Sequence, residues 1–237
     1  MYNLYLLAAI IMVLAIIQSL FGMGILVFGT PTLLLLGLEF TNILGVLLPA
    51  SIAISGVQVY VGRELSISKR EMSHMAICSV TLIASLVMLI QMNFKVRLEM
   101  FIGVAMLIAS AIRFSPKLQE KLRSFINAFE SVYVLFMGAI HGFTNMGGSM
   151  LAVYIGSKSS DKAIVRIEIA RYYLIFGIIQ ICVLIFLNES AAVWQGLLVA
   201  PIAVAVYFFI GHFLFKRLRA SVYECSMTVF IDRKSVV

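Results

Sequence analysis

The sequence predicts an all-α polytopic membrane protein built from two inverted repeats. Each repeat is a glycine-broken re-entrant helical hairpin followed by about three transmembrane helices, and the last helix is truncated. Of the 237 residues, 62% are hydrophobic and 12% are charged, whereas a soluble domain is about one quarter charged. The apolar runs are too long for the strands of a membrane barrel. Two glycine-rich stretches, residues 22–37 and 138–156, occupy corresponding places in the two halves.

The first half opens with an apolar segment, residues 4–38, that is too long to cross a membrane once as a straight helix. Its 35 residues would extend roughly 50 Å, whereas the hydrocarbon core is roughly 30 Å thick. Glycine weakens a helix, so the cluster of Gly22, Gly24, Gly29 and Pro31 predicts a turn back at the middle of the segment. We expect membrane spans to follow at residues 41–61, 72–92 and 98–112.

Residues 115–129 are predicted to form an amphipathic helix that joins the halves. Pro116 suits the first turn of a helix. One face is apolar and the other is charged, which is typical of a helix lying on the membrane surface. The apolar face carries Leu118, Leu122, Phe125, Ile126 and Phe129, and the charged face carries Lys117, Glu120, Lys121 and Arg123. The expected division is a first repeat over 1–114, this linker over 115–129 and a second repeat over 130–237.

The second half repeats the order of the first. A glycine-broken segment at 131–156 precedes spans at 164–187 and 191–215. Only residues 220–231 then remain apolar before a charged tail, and this stretch is too short to span a bilayer. We therefore expect the last helix of the second repeat to be incomplete.

The distribution of lysine and arginine predicts how the two glycine-broken segments sit in the membrane. If each segment crossed the membrane once, seven loop cations would lie on the N-terminal side and eight on the opposite side. If each returned to its starting side, thirteen would lie opposite the N-terminus and two, Lys95 and Arg97, on its side. Basic loops concentrate on the cytoplasmic side, which favours the hairpins and places the N-terminus outside a multi-pass protein of the cell inner membrane. Three spans after each hairpin then invert the second repeat, and the two tips approach each other near the midplane, as in many transporters.

The glycine motifs resemble those of the TauE/SafE family of membrane anion exporters, whose repeats open with G-x-G-G-G, often followed by a proline and a leucine-rich stretch. Residues 22–24 (Gly-Met-Gly), followed by Pro31, resemble the first copy, and residues 145–149 (Asn-Met-Gly-Gly-Ser) resemble the second. Ile25 and Leu26 stand where the family has glycines, as Asn145 does in the second copy. The resemblance implies transport, by export, of a small sulfur-containing anion such as sulfite, a sulfonate or sulfoacetate.

The glycine-rich tips are the candidate anion site. Glycine leaves backbone N–H groups accessible, and the N-terminus of a half-helix carries partial positive charge. Close packing through small residues, with polar side chains satisfying the broken backbone, is the alternative. The predicted substrate-binding residues are Gly22, Gly24, Thr144, Asn145, Gly147, Gly148, Ser149 and Arg171.

Several ionisable and polar residues inside the predicted spans have two interpretations. Arg171 either holds the anion or pairs with Glu168 three residues earlier. His141, with Glu168, is a candidate proton relay, because imidazole titrates near neutral pH; a packed histidine is the alternative. Four further side chains either line a cavity or form interhelical hydrogen bonds: Gln18, Ser19, Gln58 and Gln180.

The remaining composition narrows the function class. Three scattered cysteines and the absence of an H-E-x-x-H motif give no cofactor or metal site, and the net charge of +7 is accounted for by basic loops rather than nucleic-acid binding. The expected partners are a small anion and the lipid bilayer, with a homodimer left open. The sequence predicts a transporter rather than an enzyme. An anion channel of the same fold and an intramembrane enzyme using Glu168, Arg171 and His141 are the alternatives.

Overall fold

The computed structural model describes residues 4–91, 103–104 and 115–223, and all regular structure in these ranges is helical. The helices of the first half are α1 (Leu4–Phe21), α2 (Ile25–Leu35), α3 (Phe40–Val61) and α4 (Lys69–Gln91). Those of the second half are α5 (Pro116–Ala128), α6 (Glu130–Thr144), α7 (Gly148–Gly156), α8 (Lys162–Phe186), α9 (Val193–Val206) and, after a π turn at Tyr207–Gly211, α10 (His212–Arg217).

The helices confirm a multi-pass membrane protein. Within the described residues, α1, α3, α4, α8 and the continuous stretch from α9 to α10 are long and apolar enough to cross a bilayer. The spans predicted at 41–61, 72–92, 164–187 and 191–215 correspond to four of these within three residues at each end. The span predicted at 98–112 and the short helix predicted at 220–231 lie largely outside the described residues.

The first glycine-rich segment breaks at one place, residues 22–24, where Gly22 has a φ of +76°. Gly29 and Pro31, which the sequence grouped with this turn, lie inside α2 instead. The missing side chain of Gly29 lets α2 pack closely, because a Cβ there would lie 2.8 Å from a methyl carbon of Leu47. Thr32 shares a groove with residues 9–14 of α1, so α2 folds back along α1. Residues 4–35 are therefore a helical hairpin.

The second glycine-rich segment also folds back on itself. α6 ends at Asn145, whose φ of 58° is left-handed like that of Gly22 at the corresponding position. Lys158, just beyond α7, forms an ion pair with Glu130, the first residue of α6. Between these ends the hydroxyl of Tyr133 donates a hydrogen bond to the carbonyl of Met150 at 2.8 Å. Residues 130–158 are a second helical hairpin.

The centre of the fold is the antiparallel pair of α3 and α8. Gly177 packs against Ile52, and Gly62 packs against Ile167, with 2.5 Å between a Cβ built on each glycine and the nearest side-chain atom. As one helix is followed forwards, its contacts move backwards along the other, which is the mark of antiparallel packing. Glycine at these positions allows the two backbones to approach closely.

Two outer helix pairs flank this centre. α4 runs parallel to α6, because Gly138 meets Cys78 one turn before Gly142 meets Leu82 and Ser85. α1 packs against the stretch from α9 to α10, with Gly211 in its π turn against Ser19. Each glycine-broken hairpin is thus held by a long helix from the opposite half.

The charged loops gather at one end of the helix bundle, here called the basic end. Glu130 forms ion pairs with both Arg70 at the start of α4 and Lys158 after α7. Lys162 at the start of α8 donates to the carbonyl of Leu218, after α10, at 2.6 Å. The opposite end contains the turn with Glu39 and the turn at 187–192.

The predicted linker helix is present as α5, with Pro116 in its first turn. The axes of Glu120–Ala128 and Glu130–Thr144 form an angle of 110°, so α5 turns sharply away from the direction of α6. Ile126 on its apolar face is buried, whereas Lys117 and Glu120 are exposed. The place of α5 as a linker between two repeats stays a prediction.

Candidate functional site

The tip of the second hairpin, residues 144–149 and here called the second tip, lies between α2 and α8. The side chain of Asn145 donates to the hydroxyl of Thr30 on α2 at 2.9 Å. It accepts from the side chain of Gln180 on α8 at 3.3 Å. Gly148 is pressed against the same two helices, since a Cβ there would lie 1.9 Å from the hydroxyl oxygen of Tyr173 and 2.5 Å from Val27. The second tip therefore meets the returning limb of the first hairpin.

Polar atoms with few or no partners surround the second tip. The hydroxyl of Tyr173 is buried without a hydrogen-bond partner among the described residues, and the buried ring nitrogens of His141 have only a loose polar contact, with the side chain of Gln180. The rings of His141 and Tyr173 are 5.9 Å apart between centroids, and Gln180 lies beside the imidazole. Buried polar groups are nearly always satisfied by protein or water. The groups left over at the second tip are therefore available to water or to a polar ligand.

The tip of the first hairpin, residues 22–24 and here called the first tip, is closed by protein groups. The side-chain oxygen of Gln18 accepts from the backbone N–H of Ile25, the first residue of α2, at 3.1 Å. The side chain of Gln58 donates to the carbonyls of Gln18 and Ser19 at 3.0 and 3.2 Å. Gln18, Gln58 and Gln180 thus form interhelical hydrogen bonds, the second of the two interpretations offered by the sequence. The hydroxyl of Ser19 donates within α1, to the carbonyl of Ala15.

The first tip is also closely packed around its glycines. A Cβ on Gly22 would lie 2.4 Å from the carbonyl oxygen of Arg166, and one on Gly24 would lie 2.7 Å from the backbone nitrogen of Gln18. Neither glycine leaves space for an added methyl group, and the start of α2 is already capped by Gln18. Gly22 and Gly24 have the surroundings expected for close helix packing. Gly147 and Gly148 are packed as closely, so the two tips differ in the capping of the following helix and not in the space around their glycines.

His141 occupies, in the second hairpin, the position that Gln18 occupies in the first. Each lies four residues before the left-handed residue of its tip, Asn145 or Gly22. The nitrogen of the imidazole nearest the tip lies 3.1 Å from the point where a Cβ of Gly147 would be. No side chain of the described residues accepts a hydrogen bond from the N–H of Gly147 or Gly148 at the start of α7. The second tip therefore presents an uncapped helix N-terminus where the first does not.

Two other predicted residues serve the backbone of the second tip. Thr144 donates to the carbonyl of Ile140 at 2.7 Å and accepts from the N–H of Met146 at 3.1 Å. Ser149 has a longer hydrogen bond, 3.4 Å, to the carbonyl of Met146. Their contacts match the alternative in which polar side chains satisfy the broken backbone.

Arg171 lies away from the second tip. Its guanidinium forms an ion pair with Glu168 and donates to the carbonyl of Leu65 in the loop between α3 and α4. Tyr173 is only two residues further along α8, but side chains two apart on a helix do not face each other. The structure thus contains the ion pair that the sequence offered as one interpretation, and a role of Arg171 in anion binding stays a prediction.

The two residues of the predicted proton relay lie in different surroundings. His141 is fully buried beside Phe176, with 4.8 Å between the ring centroids, and Tyr173. Glu168 is held by Arg171 towards the basic end. Neither residue contacts the other in the described part of the chain, so a direct relay between them stays a prediction.

Tyr173 and Arg166 are not among the site residues predicted from the sequence. Arg166, one of the thirteen cations counted as lying in loops opposite the N-terminus, lies inside α8 and is 4% exposed. Arg166, Tyr173 and Gln180 follow one another at intervals of seven residues, which places them on one face of α8. This spacing is the signal in the sequence that could have found them. The described residues contain no cluster of three or more histidine, cysteine or acidic residues suited to a metal ion.

Comparison of the amino-acid sequence with known proteins identifies its family. The family model described as sulfite exporter TauE/SafE matches residues 7–231. The search of curated proteins found no match. The search of solved structures also found none.

Proposed function

Because the chain belongs to the sulfite exporter TauE/SafE family over residues 7–231, we propose that it exports a small sulfur-containing anion through a site at the second tip. Membership indicates a membrane transporter of sulfur anions. The identity of the anion, with sulfite, a sulfonate or sulfoacetate as candidates, and the outward direction are part of the proposal. The observation that carries the site is the uncapped N-terminus of α7 beside the buried imidazole of His141 and the unpartnered hydroxyl of Tyr173.

Inverted repeats are the architecture we propose for this transporter. A two-fold axis in the membrane plane relates each helix to an antiparallel mate, and α3 and α8 are the antiparallel pair at the centre. When the halves are exchanged, α4 corresponds to the stretch α9–α10, and α6 corresponds to α1. The α4–α6 pair therefore predicts a pair between α9–α10 and α1, and this pair is present. Gly22 and Asn145, equivalent under this exchange, are both left-handed. These relationships support repeats over 1–114 and 130–237, joined by a surface helix at 115–129.

We further propose that both hairpins are re-entrant. The ion pair between Glu130 and Lys158 supports this, because it joins the two ends of the second hairpin at the basic end. If the basic end is cytoplasmic, as the distribution of cations favours, the second hairpin enters from the cytoplasm. The first enters from outside, together with the N-terminus, and the protein resides in the cell inner membrane.

The second tip offers three kinds of group to an anion. The uncapped amides at Gly147 and Gly148 supply N–H donors and the positive end of the α7 dipole. The hydroxyl of Tyr173 supplies one more donor. His141 supplies a donor when neutral and a full positive charge when protonated, which would couple anion movement to a proton. Since an anion loses much hydration on burial, several of these donors acting together are needed to hold it.

Flux measurements on the purified chain test the function. In proteoliposomes with an imposed sulfite gradient, we expect sulfite flux that saturates with concentration and responds to a pH gradient. Flux that stays proportional to concentration would indicate the channel alternative. Chemical conversion of sulfite in detergent, with no flux in vesicles, would indicate the enzyme alternative.

A further inference from the structure

Arg166 is a buried cation with no carboxylate in contact among the described residues. Its guanidinium donates one hydrogen bond to the carbonyl of Ser19 at 3.3 Å and lies 3.5 Å from the ring centroid of Phe215. The two nearest acidic residues along the chain are engaged elsewhere: Glu168 pairs with Arg171, and Asp161 accepts hydrogen bonds from the backbone at the start of α8. A buried charge without a charged partner is costly unless a ligand of opposite sign completes it.

Three unused donors lie in the neighbourhood of Arg166. Its Nε and the hydroxyls of Tyr207 and Tyr223 are buried, and none has a hydrogen-bond partner among the described residues. Both hydroxyls lie within electrostatic range of the guanidinium. The ring of Tyr223 packs on Phe215, with 6.1 Å between the ring centroids. A charged planar fork flanked by neutral hydroxyl donors is suited to an oxyanion with several oxygens.

A π turn and a second cation, Lys162, lie near Arg166. Tyr207 begins the π turn that interrupts α9–α10, and π turns are frequent at functional sites. Lys162, one turn before Arg166 on α8, holds the chain after α10 through the carbonyl of Leu218. The local charge among these side chains is positive, which raises the local concentration of small anions.

The position of Arg166 links this cluster to the second tip. Arg166 lies seven residues before Tyr173 on the same face of α8, a separation of roughly 10 Å along the helix axis. Arg166 is close to the basic end and beside the first tip, whose Gly22 packs on its carbonyl. An anion bound here would be two helical turns from the donors of the second tip.

We propose that Arg166, Tyr207 and Tyr223 form a capture site for the transported oxyanion on the basic side of the membrane, which rests on the transport function proposed above. The anion binds first to the guanidinium fork and the two hydroxyls, and then passes along α8 to the second tip. Arg166 is thereby an anion-binding residue, whereas Arg171, five residues later, is neutralised by Glu168.

The test measures sulfite flux in proteoliposomes with sulfite supplied either at the basic end or at the opposite end. We expect Arg166→Gln to raise the KM for sulfite supplied at the basic end by about tenfold or more, as for loss of a charged hydrogen-bonding partner. The KM from the opposite end should change much less. Arg166→Lys should recover part of the loss, because it restores the charge but not the fork.

Phe213→Leu is the matched control, since it removes an exposed ring of α10 that lies over Arg217 rather than Arg166. It should leave the KM for sulfite supplied at the basic end unchanged. If Arg166→Gln fails to fold, Tyr207→Phe and Tyr223→Phe test the capture site instead, because these variants keep the rings and remove only the hydroxyls. Each should raise the KM at the basic end by a few fold, in the range of one neutral hydrogen bond.

Two results would overturn the capture site while leaving the proposed function in place. The first is that Arg166→Gln keeps the wild-type flux and the wild-type KM for sulfite supplied at the basic end. If Arg166→Gln does not fold, the same result in both Tyr207→Phe and Tyr223→Phe would overturn the site. The second concerns the unfolding temperature with each ligand. If Arg166→Gln is no longer stabilised by phosphatidylglycerol but is still stabilised by sulfite, a lipid phosphate is the occupant of the site. Absence of sulfite flux in the wild-type chain would instead refute the proposed function, and the capture site with it.

Discussion

Glu130 and Lys158 form an ion pair that closes the base of the second hairpin. The carboxylate side chain is only 10% exposed and also pairs with Arg70 of α4. The hydroxyl of Tyr154 donates a further hydrogen bond to it at 2.6 Å. The two ends of the glycine-broken segment therefore lie side by side, next to the start of α4.

This ion pair leads to a prediction about topology. Cysteines introduced at Glu39 and Glu189 should react with an impermeant thiol reagent added outside the cell, because both residues lie in turns at the end opposite Glu130. A cysteine at Ser66, in the loop between α3 and α4, should be protected. Labelling at Ser66 without labelling at Glu39 would contradict the proposed orientation.

Much of this fold follows from local features of the sequence. The breaks at 22–24 and 145–147 were predictable because glycine and a left-handed asparagine end helices. The turn does not extend to Gly29 and Pro31, because α2 is covered by its neighbours and tolerates a proline inside a membrane protein. The folding back of both segments was predictable from the charges of the loops.

The site was less predictable, because it depends on how far side chains reach. The motifs alone make the two tips look alike, and only the contact from Gln18 to Ile25 shows that the first is capped. Arg166 lies four residues inside α8 and inside the span predicted at 164–187, but its place shortly after Lys158 and Lys162 made it look like a loop cation. The pairing of Arg171 with Glu168 is local, at a spacing of three residues, and was therefore available as an alternative.

The role of Arg171 can be separated from that of the second tip by substitution. Arg171→Gln should lower the free energy of unfolding by about 3–5 kcal/mol, because it leaves the buried Glu168 carboxylate without its partner. Sulfite affinity should change little. Unfolding in detergent and calorimetric titration with sulfite provide the two measurements.

A double variant is the control for this prediction. Replacing Arg171 and Glu168 together by leucine removes both charges and should recover much of the lost stability. A variant Arg171→Gln that keeps its stability but loses sulfite affinity would return Arg171 to the anion site.

Removing the hydroxyl of Tyr173 tests the donors of the second tip. Tyr173→Phe should weaken sulfite binding by about tenfold, or about 1.4 kcal/mol, because one hydrogen bond to a charged ligand is lost. Stability should not fall, since the hydroxyl has no partner among the described residues. Tyr172→Phe is the matched control: the adjacent hydroxyl is also buried, but the Tyr172 side chain packs towards Tyr154. Equal losses in the two variants would argue against a site at Gly148.

The comparison of Gln18 with His141 gives the most direct test of the central claim, that the anion occupies the uncapped start of α7. A glutamine at position 141 has the length to accept from the N–H of Gly148 as Gln18 does from Ile25 at 3.1 Å. Asparagine at the same position is one methylene shorter and does not have this reach. His141→Gln should therefore occupy the anion's place, whereas His141→Asn removes the imidazole and leaves the amides open.

The deciding measurement is the initial rate of sulfite flux in proteoliposomes for the wild-type chain and these two variants, with unfolding temperatures recorded alongside. We predict that His141→Gln is folded and reduces flux to about a tenth or less, equivalent to at least one lost hydrogen bond to the anion. His141→Asn should keep clearly more flux than His141→Gln. Wild-type flux and KM in a folded His141→Gln variant would contradict binding of the anion at the second tip.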